Sequence, residues 1–223
     1  LEEKLEEELS KLELSYEIIL VDDGSVDGSP HIINSIKKHN PRIKLIRFEN
    51  NHGQSAAFAA GFKAASGKIF VTLDADMQNN PADIPDLLAA YENHIVAAIK
   101  VMICGQRTHR RDSFIKRFSS KIANKVRSNC LGDFTLDSGC GLKLFSAEDF
   151  MALPSFDHMH RFLPALMIRS GGKVVSVEVS HRSRERGTSK YGVFDRLWVG
   201  VVDLFGMVWL RNRPINPEVN ESQ

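Results

Sequence analysis

Along the first half of the chain, short apolar runs alternate with amphipathic segments, and the runs end on turns rich in Asp, Asn or Gly. Tyr16 to Val21 (YEIILV) reads as a buried strand, with DDGSVDGS as the turn after it. A helix is expected from about Ser29 to Lys38, a strand from Ile43 to Phe48, and a helix with small residues on one face from Gln54 to Ala65. Lys68 to Leu73 is a third strand and Ile95 to Cys104 a fourth. Between them Pro81 to Tyr91 is a helix, its proline near the first turn, where the missing N–H has no intrahelical partner to lose. Ahead of all these, Leu1 to Leu14 is acidic and helical in pattern, with Leu1, Leu5, Leu9 and Leu12 on one face. Strands alternating with helices impose parallel pairing, right-handed crossovers and a three-layer α/β sandwich. Ligands of such sheets sit beyond the carboxyl ends of the strands. Asp22-Asp23 and Asp74-Ala75-Asp76 both fall there.

The second half is less regular. Ser113 to Leu131 reads as a basic helix, Cys140 to Phe145 as a short strand, and Ala147 to Leu153 and Arg161 to Arg169 as helices. Val174 to Val179 is a strand, His181 to Gly192 a polar loop, and Val193 to Leu210 a last helix. With 223 residues, 43% of them hydrophobic, one core and a single domain over 1–211 are expected, divided into halves 1–104 and 105–211. The tail, 212–223, is expected to be disordered. A net charge of +1 gives no global field of the kind nucleic-acid binders carry. Three cysteines, Cys104, Cys130 and Cys140, form no CxxC pair, which fits free thiols in a reducing setting. No signal-peptide pattern stands at the start, and no run reaches the roughly 18 apolar residues a membrane crossing needs, so a soluble or peripheral protein is expected.

Two carboxylates one residue apart at the mouth of a sheet repel unless a cation or donor lies between them. The oxygens of Asp74, Asp76 and Gln78 suit Mg2+ or Mn2+, ions that keep several waters and bridge to substrate phosphates. An ion on a diphosphate makes it a better leaving group by neutralising developing charge. The bare Asp-x-Asp triplet reads equally well as a solvated turn capping the next helix. Asp22 and Asp23 have the oxygens to accept from a base or ribose edge, with Gly24 allowing close backbone approach; an ordinary Asp-Gly turn accounts for them as well.

Five segments taken together are more specific: VDDGSVDGS, ENNHGQSAAFAAGFKAASG, LDADMQNNP, DSGCGLKLF and HRSRERGTSKYG. In this order they resemble the family 2 glycosyltransferases of the GT-A fold, and more narrowly the polyprenyl- and dolichyl-phosphate sugar transferases. The resemblance implies a Rossmann-like three-layer sandwich with a mainly parallel central sheet. It further implies donor-binding acids at Asp22, Asp23, Asp74 and Asp76, and a metal and donor-diphosphate site at Asp74, Asp76 and Gln78. The donor would be a UDP- or GDP-linked sugar. The first strand and turn of such proteins, of the type Pro-x-Tyr-Asn-Glu, is not found in this sequence. Deleting a central strand would expose both neighbouring edges, so a fragment of a longer chain is expected.

The acceptor side is cationic. Arg107, Arg110, Arg111, Lys116, Arg117, Lys121, Lys125 and Arg127 face a single acid, Asp112, in a stretch that is either a solvated helix face or an anion site. No nucleic-acid motif accompanies it, and no nucleic-acid partner is expected. The resemblance places the acceptor phosphate at Lys116, Arg117 and Ser120, and an R-x-x-G-x-S-K loop near the reacting phosphates. Arg184 and Lys190 of that loop would then offset transition-state charge, with Arg184 also on the acceptor phosphate. A lipid phosphate needs no strong base, because its second pKa is about 6. Asp137 is expected to orient the acceptor or to bind a basic residue. In the last helix Trp198, Phe205, Met207 and Trp209 stand beside Arg196, Arg211 and Arg213, a combination suited to the cytoplasmic membrane surface, to core packing or to a membrane-protein partner. His158 and His160 are expected at the surface or at a helix start. The alternatives to a polyprenyl-phosphate acceptor are a saccharide or soluble hydroxyl, which calls for a carboxylate base, and a non-catalytic nucleotide-sugar-binding module.

Overall fold

The computed structural model of the protein describes residues 1–95, 99–107, 127–133, 135, 137–180, 182 and 193–213. Helix α1 (Glu2–Ser10) leads into β1 (Ile18–Asp22), α2 (Ser29–His39), β2 (Ile43–Arg47), α3 (Gln54–Ala64) and β3 (Ile69–Thr72). A 3-10 turn (Pro81–Asp83), α4 (Ile84–His94) and β4 (Val101–Arg107) complete the first half. The second half adds β5 (Lys143–Ser146), α5 (Ala147–Met151), a 3-10 turn (Met159–Arg161), α6 (Leu163–Arg169), β6 (Lys173–Val179) and α7 (Val193–Arg211). This is the alternation the apolar runs predict, with shifted boundaries. Strand β4 starts at Val101 rather than Ile95, and β5 starts at Lys143 rather than Cys140. The delay in β5 has a local cause, since 137–139 form a turn closed by Cys140 N–H donating to the Asp137 carbonyl at 3.2 Å.

The described strands form two hydrogen-bonded sheets, β1-β2 and β3-β5-β4-β6. Strands β1 and β2 pair in parallel, as do β4 and β6, while β5 is antiparallel to both β3 and β4. Thus β3, β4 and β6 run one way and only β5 runs against them. Strands β1, β2, β3 and β6 each have a single partner among the described strands.

Both faces of the four-stranded sheet are buried, which fixes its layers. Met102 and Cys104 of β4 and Phe145 of β5 face a cluster with Phe150, Leu163, Leu166 and Met207. Val101 and Ile103 of β4 and Leu144 of β5 face the opposite cluster, with Leu87 and Tyr91 of α4 and Leu5 of α1. This period-two division with apolar residues on both sides is the signature of a sheet covered by helices on each face. Rings from three elements meet in the first cluster: Phe62 of α3 lies 4.7 Å from Phe70 of β3 and 4.0 Å from Phe150 of α5. Helix α3 is thereby held at its carboxyl end, leaving its amino end directed to the strand termini where the acids lie.

Candidate active site

At the end of β1 the two adjacent acids do different work. Asp22 is buried, accepts the Ser25 N–H on Oδ1 at 3.0 Å, and has its Oδ2 3.5 Å from Nε of Arg47, its register partner on β2. Asp23 takes three donors from the loop before α3: Asn51 Nδ2 at 2.8 Å, His52 N–H at 2.7 Å and Gly53 N–H at 2.9 Å. Gly24, in the turn after β1 with φ +72°, packs against that loop, and a side chain there would run into the Asn50 backbone. The VDDGS turn and the NNHG loop are therefore laced together, and they set the amino end of α3.

From that end Gln54 Nε2 donates to Asp74 Oδ1 at 2.9 Å. The Asp74 carboxylate rests against Gly141, where any Cβ would overlap it. The Gly141 carbonyl is in turn held by Thr72 Oγ1 at 2.6 Å. Burial pushes the Asp74 carboxyl above its ordinary value and the neighbouring Asp76 raises it further, against the opposing charges of Lys143 and Arg107 and the Gln54 hydrogen bond. Asp76 Oδ1 accepts the Gln78 N–H at 3.1 Å across Met77, whose φ of +65° is a strained value for a side chain with a Cβ.

Arg107, the last residue of β4, forks onto Asp137 with Nε to Oδ2 at 2.6 Å and Nη2 to Oδ1 at 2.8 Å. Asp137 thus binds a basic residue, one of its two expected roles. Lys143 is buried on β5 and donates to the Cys140 carbonyl, in the turn that carries Gly141. Arg182, just beyond β6, docks on the acidic loop: its N–H donates to the Gln78 carbonyl at 3.1 Å and its Nη2 to Asn80 Oδ1 at 3.0 Å. Ser180 binds Asp83 Oδ2 through both Oγ (2.8 Å) and N–H (3.0 Å).

The structure accordingly places Asp22 and Asp23 at the end of β1 and Asp74, Asp76 and Gln78 beyond the end of β3, joined through the loop before α3 and Gln54. Lys116, Arg117, Ser120, Arg184 and Lys190 lie outside the described residues. Sequence reasoning missed Gln54, Lys143 and Arg182 as parts of the site. Gln54 alone had a legible signal, its place directly after a glycine before an apolar helix.

Among the described residues no group of three or more His, Cys, Asp or Glu side chains is arranged to hold a metal. The donor set nevertheless fits a hard divalent ion. Two mutually repelling carboxylates at one strand end suffice for Mg2+ or Mn2+, which retain waters and complete their shell with substrate phosphate oxygens.

The model of glycosyl transferase family 2 matches residues 1–153. The chain belongs to that family. Dodecaprenyl-phosphate galacturonate synthase from Rhizobium johnstonii is 31% identical over 208 residues, covering 91% of this chain and 60% of the relative. Undecaprenyl-phosphate 4-deoxy-4-formamido-L-arabinose transferase from Aeromonas hydrophila is 34% identical over 185 residues, covering 82% of this chain and 55% of the relative. The chain thus spans little more than half the length of these two family 2 proteins. Among solved structures, glucosyl-3-phosphoglycerate synthase from Mycobacterium tuberculosis, in complex with Mn2+, UDP-glucose and phosphoglyceric acid, superposes with a TM-score of 0.65 at 19% identity. That match covers 94% of this chain and 74% of the other. The GT-A type of α/β fold expected from the motifs is the fold of this family 2 chain.

Proposed function

We propose that this family 2 protein moves a sugar from a nucleotide-diphosphate donor, UDP-linked, to a polyprenyl phosphate at a membrane surface, with inversion at the anomeric carbon. The observation that carries the reading is the Asp74–Asp76 pair at the end of β3, with Asp74 fixed by Gln54 and Gly141. The names of the two relatives supply the acceptor class, and the Mn2+ and UDP-glucose of the tuberculosis enzyme supply the donor and ion.

Asp74 and Asp76, with Gln78, would hold Mg2+ or Mn2+ against the donor diphosphate, where the ion neutralises charge on the leaving group. The chain's own residues set the geometry. Asp22 and Asp23 border the nucleotide side, and Arg182, two positions before Arg184 in sequence, is anchored on the acidic loop itself. In the reaction an oxygen of the lipid phosphate forms a bond to the anomeric carbon as the bond from that carbon to the diphosphate breaks. The attacking phosphate is ionised near neutral pH, so alignment and charge compensation replace a base; Lys116, Arg117 and Ser120 are assigned to holding it. The fork between Arg107 and Asp137 argues in the same direction, since a carboxylate bound to guanidinium is a poor proton acceptor.

No helix among the described residues is long and apolar enough to cross a membrane. Peripheral attachment to a membrane surface, assigned in this reading to the cytoplasmic leaflet, draws its support from α7 only as to the membrane: Val201, Val202, Phe205 and Trp209 form an exposed apolar stripe and Arg213 lies over the Trp209 ring at 5.2 Å. Met207 faces the core instead.

The reaction is tested by incubating the full-length protein with Mn2+, labelled UDP-sugars and undecaprenyl phosphate in detergent. Label extracted into organic solvent, abolished by EDTA and by Asp76→Asn, is the expected result. Label appearing in a water-soluble glycan, or none at all, rejects the acceptor assignment.

A further inference from the structure

We infer that His160 is a positioning residue for the donor site, acting through Ser55 on the first turn of α3; the inference rests on Asp74 being part of that site. His160 and Ser55 are 105 residues apart in the chain and come from different halves. The His160 Nδ1 lies 2.8 Å from Ser55 Oγ, and the His160 backbone N–H donates to the same oxygen at 3.3 Å. The Ser55 hydroxyl, with one proton and two lone pairs, thus meets both the backbone and the ring of His160, and the ring tautomer sets which way the Nδ1 bond runs. The ring also stands edge-on to Phe58, one turn further along α3, with centroids 6.3 Å apart.

Helix α3 needs such a tie. Its N-cap is Gly53, at φ +86°, and it has no side-chain capping bond. The N–H groups that Asp23 takes belong to His52 and Gly53, ahead of the helix. Ser55, 5% exposed, is therefore the fastening of the first turn, next to Gln54, whose amide holds Asp74 at 2.9 Å. A shift of the turn moves Gln54 away from Asp74.

The far side of the His160 turn is itself anchored. His158 Nδ1 is 2.9 Å from Asp203 Oδ2 on α7, and Arg161 Nη1 is 3.6 Å from the same oxygen. The 158–161 segment thus spans α7 and the amino end of α3. Burial, then the Arg161 and His158 charges, brings His160 down to about 4, so its ring is uncharged at neutral pH and the hydrogen bond to Ser55 is that of a neutral imidazole.

The experiment measures UDP binding to the full-length protein by calorimetry in the presence of Mn2+, with melting temperatures recorded for every variant. Ser55→Ala and His160→Ala should each weaken UDP binding by about tenfold, the double variant no further, and His160→Gln should recover it because its side-chain amide can either accept from or donate to the Ser55 hydroxyl. Asp74→Asn is the control. If it abolishes binding while Ser55→Ala and His160→Ala bind UDP as the parent does, the inference falls and the donor-site reading stands. If the two single effects multiply, the residues act separately and the inference falls. Parent-like binding by Asp74→Asn overturns both.

Discussion

Gln54 and Asp74 stand 20 residues apart on different elements, and their side chains meet at 2.9 Å, joining the amino end of α3 to the end of β3. The contact decides which lone pairs of Asp74 remain for a ligand. Oδ1 accepts the amide while Oδ2 lies closest to Gly141, so two neighbours as well as its own rotamer fix the carboxylate.

Gln54→Ala removes this donor from a carboxylate. A hydrogen bond to a charged group contributes about 1.5 to 3 kcal/mol, and the exposure of Gln54 places the effect at the low end. We expect kcat/KM for the nucleotide sugar to fall about tenfold and the melting temperature to drop by about 3 to 6 °C, read by steady-state kinetics and thermal denaturation.

Gly141→Ala drives a methyl group into the Asp74 carboxylate. Displacement of a site group by about 1 Å costs on the order of 100-fold in rate, and this is the expected loss in turnover. Gly200→Ala, with open space around the added methyl on α7, is the matched control and should turn over as the parent does.

Thiol chemistry should be confined to one residue. Cys130 is exposed, whereas burial pushes Cys104 up to about 12 and also raises Cys140. Titration of the folded protein with an aromatic disulfide at mildly alkaline pH should show one fast thiol, lost in Cys130→Ser, and two that react only on denaturation.

His160 gives stability a defined pH dependence. Its value falls from 6.5 to about 4 on folding, so between these limits the unfolded chain takes up a proton that the native state refuses. The contribution is complete above 6.5 and is lost as pH falls from 6.5 to about 4. Urea unfolding at pH 7, 5.5 and 4.5 should show the parent losing its advantage over His160→Gln across that window.

The exposed stripe of α7 should bind lipid. Phe205→Ser with Trp209→Ser is expected to reduce sedimentation with anionic vesicles several-fold while leaving the core residues Met207 and Leu204 in place. Unchanged sedimentation would remove α7 from the membrane reading.

Much of the first half was legible because its signals are local. Short apolar runs at Ile18–Asp22 and Ile69–Thr72 mark strands, and a strand's end is where a pair of acids becomes accessible, so Asp22, Asp23, Asp74 and Asp76 were singled out without coordinates. What each acid touches was not legible. Asp23 was expected on a ligand, and its carboxylate holds three donors of the NNHG loop; this follows from the crossover of α2 and β2, which no spacing reveals.

By itself, then, the sequence determined the layered α/β class, the order of its elements and the residue types at the strand ends, since periodicity, turn chemistry and charge act over a few positions. Only the tertiary structure decided that β5 runs against its neighbours, that Arg107 neutralises Asp137, and that Ser55 and Gln54 tie His160 and Asp74 to one helix turn. Those contacts join residues separated by 20 to 105 positions, and such partners are selected by how the layers pack, a property of the whole chain rather than of any segment.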